Sequence, residues 1–223
     1  MTAVAIPPLA APAARELPAG QVFVLRNATW DLYERLRDES EGQNIRITYD
    51  GGSLVLMSPL PIHDKVKTMA GRLIEMASFE MDVPISSFGS TTWKRKDLAK
   101  GLEADECYYV QNELAVHGRT DIDLSRGDPP PDLAVEIDST RNPADRQSVY
   151  AALGVREVWR YDGARFAFVR RTDAGAYEPI EASDALPFLT PDVIERYVTH
   201  ALADEHGALK SFQQWLRTLH PLR

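Results

Sequence analysis

An α/β or α+β fold, a mixed β-sheet with helices packed on it, follows from three features of the 223-residue sequence. Two alternating runs meet at a glycine turn in "IRITYDGGSLVLMS". A long helical periodicity follows at once in "PIHDKVKTMAGRLIEMASFEMD". Further along, the branched, apolar "DLAVEID" precedes a punctuated helix and a second hairpin.

Taken in order, residues 1–18 are rich in Ala and Pro, lack the basic start and apolar run of a signal peptide, and read as a flexible arm. Residues 19–223 read as a single domain, with a core at about 45–163 and a C-terminal helical part at about 190–219. "QVFVLR" predicts a short strand. "NATWDLYERLRDES" predicts a helix capped by Asn27 or Thr29, with Trp30, Leu32, Tyr33 and Leu36 inward. The "DGG" turn supplies the positive φ of a tight hairpin. On the long helix that follows, Ile62, Val66, Met69, Leu73, Met76 or Ala77, and Glu80 form the inward stripe. "PISSFG" predicts a strand, "WKRKDLAK" a basic mobile loop, and Glu103 to Val110 a second strand. "NPADRQSVYAALG" predicts a helix with Asn142 as cap, Pro143 in the first turn and Gly154 past the end. "VREVWRYDGARFAFVRR" predicts a hairpin, "AYEPI" a strand, and the tail two helices broken near Gly207.

Composition narrows the function. No apolar run approaches the roughly 18 residues needed to cross a bilayer, so the expectation is a cytoplasmic protein without a membrane partner. Cys107 stands alone and reads as a small buried hydrophobe, while the five histidines show no ligand spacing, which argues against zinc. The net charge of -8 offers no global attraction to nucleic acid. Local charge exists at Lys94, Arg95 and Lys96, which read either as a solvated cluster or as a contact to a DNA backbone. No glycine-rich phosphate loop joins a strand to a helix.

Strand alternation gives the sharper signal. In "DLAVEID", Leu133, Val135 and Ile137 share one face, and Asp132, Ala134, Glu136 and Asp138 the other. In "EADECYY", Glu103, Asp105, Cys107 and Tyr109 fall together. Were these strands neighbours, several carboxylates would converge and need solvent, protons or a cation. A hard ion such as Mg²⁺ suits Asp105 and Glu136, with the Ile137 carbonyl between them; the alternative is a half-exposed strand with its acids in water. On the following helix Arg146, Val149, Tyr150 and Leu153 form one stripe, so Arg146 faces the sheet. It reads either as a snorkelling arginine or as a cation beside the acids that steadies charge on a phosphate.

Three stretches together, "GSTTWKRKDLAKGLEADECYYV", "PPPDLAVEIDST" and "DRQSVYAALGVREVWRYDG", resemble the bacterial family of putative restriction endonucleases with the PD-(D/E)XK nuclease fold. The resemblance covers roughly Ile45 to Gly163. It implies a restriction-endonuclease-like sheet flanked by helices, with an extra β-hairpin and C-terminal helices. It also implies a Mg²⁺- or Mn²⁺-dependent endonuclease acting on DNA, with Asp105 and Glu136 as metal ligands. Asp138 stands where the general nuclease motif has lysine. In this family that lysine is displaced to the helix, where Arg146 replaces it. Glu103 matches the acid two before the aspartate, Ala104 replaces a proline, and His63 matches a helix-start histidine. Glu103, Asp138 and His63 are thereby auxiliary. Arginine keeps its proton and can orient or stabilise but not act as a base. The alternative reading is a nuclease fold that binds nucleic acid or protein without cleaving. The two tail helices either close the core or offer a homodimer face.

Overall fold

The computed structural model describes residues 20–138 and 145–219. The Ala/Pro-rich arm at 1–18 and the Asn142 and Pro143 signals of the fourth helix lie outside the described residues. The strand β1 (Val22–Leu25) leads to α1 (Trp30–Glu39), whose cap is Thr29: its Oγ1 accepts from the Leu32 amide at 3.2 Å. Tyr33 is buried on α1, but Leu32 is exposed. A residue next to Tyr33 in sequence sits about 100° around the helix, outside the inward stripe. The hairpin β2 (Arg46–Asp50) and β3 (Ser53–Met57) turns through Gly51 and Gly52 at φ 51° and 97°. On α2 (Pro61–Glu80), Val66, Met69, Leu73 and Ala77 are buried as expected, whereas Ile62 is 45% exposed. His63, three residues before Val66, takes the inward place in the first turn.

The basic segment corrects an expectation. It is no mobile loop but a hairpin, β5 (Thr92–Arg95) and β6 (Lys100–Glu103), after the two-residue β4 (Ser86–Ser87). The strand expected at Glu103 to Val110 is likewise two: β6 ends at Glu103, and β7 (Glu106–Tyr109) belongs to the other sheet. The chain changes sheets at Ala104 and Asp105, as strands do at the corner of two packed sheets. A four-residue α3 (Glu113–Val116) precedes β8 (Leu133–Ile137), every residue of which is buried. α4 (Arg146–Leu153) is capped by Asp145, whose side chain accepts from the Ser148 amide, and ends at Gly154 with φ 88°. The hairpin β9 (Glu157–Tyr161) and β10 (Phe166–Arg171) and the strand β11 (Tyr177–Ile180) follow. The tail forms α5 (Pro191–Ala203) and α6 (Glu205–Leu219). Their break is at Asp204, not Gly207, because the Asp204 carboxylate accepts from the Gly207 amide and so starts the second helix.

The strands form two sheets. One is antiparallel, in the order β1-β3-β2-β6-β5; the other is mixed, in the order β11-β10-β9-β8-β7-β4, with β8 and β9 parallel across the α4 crossover. Leu133, Val135 and Ile137 face a core built with α2, α5 and α6. The tail helices therefore close the core through Ile194, Tyr197, Val198, Phe212 and Leu216. On the opposite face, Ala134 and Val158 pack with Val149, Tyr150 and Leu153 of α4 and with Trp93, Leu102 and Ala104. α4 is thus wedged between the sheets. Beyond the first sheet, Tyr33 of α1 packs on Ile47, Tyr49 and Leu54, and its ring lies where a side chain on Gly101 would stand.

Candidate active site

Alternation along β2 sends Ile47 and Tyr49 toward α1 and leaves Arg46, Thr48 and Asp50 on the α4 side. β2 pairs with β6, which brings Arg46 and Thr48 beside the sheet corner. β7 pairs with β8 in the register Glu106↔Val135, so Asp105 lies across from Glu136. The corner thus gathers Arg46, His63, Glu103, Asp105, Glu136 and Arg146. Each side chain is buried or nearly so.

Asp105 is 1% exposed. Its Oδ2 accepts from the Ile137 amide at 2.8 Å and lies 3.1 Å from His63 Nε2, while Oδ1 faces Arg46 Nε at 3.5 Å. Burial works to raise its pKa, but His63, Arg146 and the Ile137 amide outweigh this and hold it below the ordinary aspartate value. Burial works to lower that of His63, and the Asp105 carboxylate overrides it, so the imidazole is held above its usual value. Glu136 is held above the usual carboxylate range by burial, against the pull of Arg146. Glu103 is also raised by burial, although Arg46 Nη1 donates to it at 2.7 Å.

Arg146 ties these pieces together. Its Nη2 donates to Glu136 Oε2 at 2.7 Å and to the Glu103 carbonyl at 2.6 Å, Nη1 donates to Thr48 Oγ1 at 2.7 Å, and Nε approaches Glu136 Oε1 at 2.5 Å. Tyr150 OH donates to Glu136 Oε2 at 2.8 Å. Burial works against its charge, but Glu136, Tyr150 and Asp105 hold its pKa above the ordinary arginine value. Of the two readings of this residue, snorkelling does not describe it: Arg146 is 7% exposed and its guanidinium reaches partners on both sheets.

A model of the family described as "Uma2: Putative restriction endonuclease" matches residues 30–202, well over half of the chain and every residue of the charged cluster at the sheet corner. The chain belongs to the Uma2 family. The fold is accordingly restriction-endonuclease-like, as the two sheets, the flanking helices and the order of motifs indicate. No curated protein matches the chain.

Within this Uma2 fold the remaining expected residues are dispersed. Asp138 follows β8 directly, its amide donates to the Tyr161 carbonyl, and it borders a cleft of about 100 Å³ beside Glu136. Lys94 and Arg95 lie on β5, opposite Gly101 and Lys100 on β6, and so roughly 7–10 Å along that strand from Glu103. Lys94 pairs with Glu34, Arg95 with Asp97 and Lys96 with Asp31. Asp132 is engaged elsewhere: it accepts from the Val110 and Asn112 amides and from the Asn112 side chain. Arg46, Thr48 and Tyr150 are members of the cluster that the motif search passed over. The signal for the first two was present, since polar residues at positions 46, 48 and 50 share one face of a strand whose other face is apolar.

No group of three His, Cys, Asp or Glu is gathered for a metal among the described residues. The donor chemistry nonetheless fits a hard divalent ion such as Mg²⁺, which commonly takes one or two protein carboxylates and keeps waters. Asp105 and Glu136 are adjacent, and Asp105 Oδ1 carries no hydrogen bond among the described residues.

Proposed function

We propose that the chain is a Mg²⁺- or Mn²⁺-dependent endonuclease that hydrolyses DNA phosphodiesters, with Asp105 and Glu136 as the residues that would hold the ion. The observation that carries this reading is the pairing of these two buried carboxylates on adjacent strands at the sheet corner, in a chain of the Uma2 family. When bound, a divalent cation acidifies water and offsets the charge of the scissile phosphate. The chain's own residues orient the carboxylates. His63 and the Ile137 amide fix Asp105, and Arg146 and Tyr150 fix Glu136. Arg146 remains protonated and serves as a fixed positive charge rather than a base. Glu103 and Asp138 border this arrangement as auxiliary acids.

The test is nicking and linearisation of supercoiled plasmid with Mg²⁺ or Mn²⁺. Glu136→Gln should lower the rate on the order of a hundredfold or more. Full activity in that variant would overturn the assignment.

A second reading has its own support. Both carboxylates already have partners in the chain, Asp105 in His63 and Arg46 and Glu136 in Arg146, which suits a nuclease fold used to bind nucleic acid or protein without cleavage. Intact plasmid after prolonged incubation, together with retained binding of the same DNA, would favour it.

A further inference from the structure

A phosphodiester approaching the site needs a cation that is free to meet it, and the two arginines of the cluster are already engaged. Arg146 spends its guanidinium on Thr48, the Glu103 carbonyl and Glu136, and Arg46 spends its own on Glu103 and Asp105. Arg160 differs. It stands on β9 as the Cα partner of Glu136 across the parallel pair, so both side chains project from the same face of the sheet. Val158, two residues earlier on that face, packs in the apolar layer against α4. Arg160 is half-buried, and it borders the cleft of about 100 Å³ shared with Glu136, Asp138, Asp145 and Arg146. That volume has room for a phosphate group. Among the described residues Arg160 makes no ion pair with a carboxylate.

We propose that Arg160 is the phosphate-contacting residue of this cleft, receiving the DNA backbone beside Glu136; this rests on the nuclease reading given above. A guanidinium suits the task because its parallel N–H groups match two phosphate oxygens.

The experiment is fluorescence anisotropy of a short labelled duplex across a salt series, with Ca²⁺ in place of Mg²⁺ and the duplex checked afterwards for integrity. Arg160→Gln should weaken binding on the order of tenfold near 0.1 M salt and lower the slope of log K against log salt by about one, the loss of one phosphate contact. Arg160→Lys should restore the slope. Arg165→Gln removes the same charge from the exposed turn after β9 and should leave the slope unchanged. The inference is overturned if Arg160→Gln binds like the unaltered chain, or if Arg165→Gln loses as much. If the unaltered chain binds no DNA, the nuclease reading fails and this inference with it. Matching unfolding midpoints for the variants exclude a folding defect.

Discussion

At the scale of single residues, Arg146 decides how the buried charges balance. Replacing it with methionine leaves Glu136 desolvated, with the Tyr150 hydroxyl as its hydrogen-bond partner among the described residues. Breaking a buried pair by deleting one member typically costs about 3–5 kcal/mol, because the remaining charge has lost water and gained nothing in return. Arg146→Met should therefore lower the urea unfolding free energy by that amount, and a change under about 1 kcal/mol would mean that Glu136 is protonated or hydrated in the fold. That Arg146 points inward was legible from its place on the stripe with Val149, Tyr150 and Leu153. That it would reach Thr48 and the Glu103 carbonyl was not, because those partners lie 98 and 43 positions away and no local pattern encodes their approach.

At the scale of elements, α6 shows how polar contacts pin an amphipathic helix whose apolar face enters the core through Phe212 and Leu216. Its outer edge is tied to the end of α2: Arg217 Nε donates to Glu80 at 3.1 Å and Gln213 Nε2 at 2.6 Å, while Arg72 pairs with Glu205. The Arg217 and Gln213 hydrogen bonds hold the Glu80 pKa below the usual carboxylate value. A depressed folded pKa adds stability above the unfolded value of roughly 4.3, and that stability is lost as pH falls through the folded one. Amide protection factors in α6 should thus fall on acidification below about pH 4, and Glu80→Gln should flatten that dependence. The opposite trend, protection rising in acid, would refute the linkage. The Glu80 position had read as part of the apolar stripe of α2, and the structure explains why a carboxylate is tolerated there. Strand reading failed at two places: the basic segment expected to be a loop is the hairpin of β5 and β6, and in the run from Glu103 to Val110 alternation continues in the sequence but the chain leaves one sheet for the other at Ala104 and Asp105.

At the scale of the molecule, the two sheets share one apolar layer, in which Trp93, Leu102 and Ala104 from one pack with Ala134 and Val158 from the other and with α4. Arg146 then joins the sheets by hydrogen bonds. We expect residues 19–223 to unfold as one cooperative domain. Trp30 lies against the α1 layer and Trp159 in the core of the other sheet, so each reports on a different side of the molecule. Single-tryptophan variants retaining either one should give superimposable denaturant transitions, and separate midpoints would divide the chain into two units.

The sequence by itself determined the long helices, the turns at "DGG" and "YDG", the inward faces of β8 and α4, and the motif residues that mark the Uma2 family, because each depends on periodicity or local backbone chemistry within a few positions. Only the tertiary structure decided which charges meet. Asp105 stands at a corner between sheets, Arg46 and Thr48 arrive from a hairpin that precedes it by more than fifty positions, and Arg160 faces the cleft because β9 runs parallel to β8. Pairing across such distances in the chain is set by how the layers pack, since burial brings the elements together and their charged side chains must then find partners out of water.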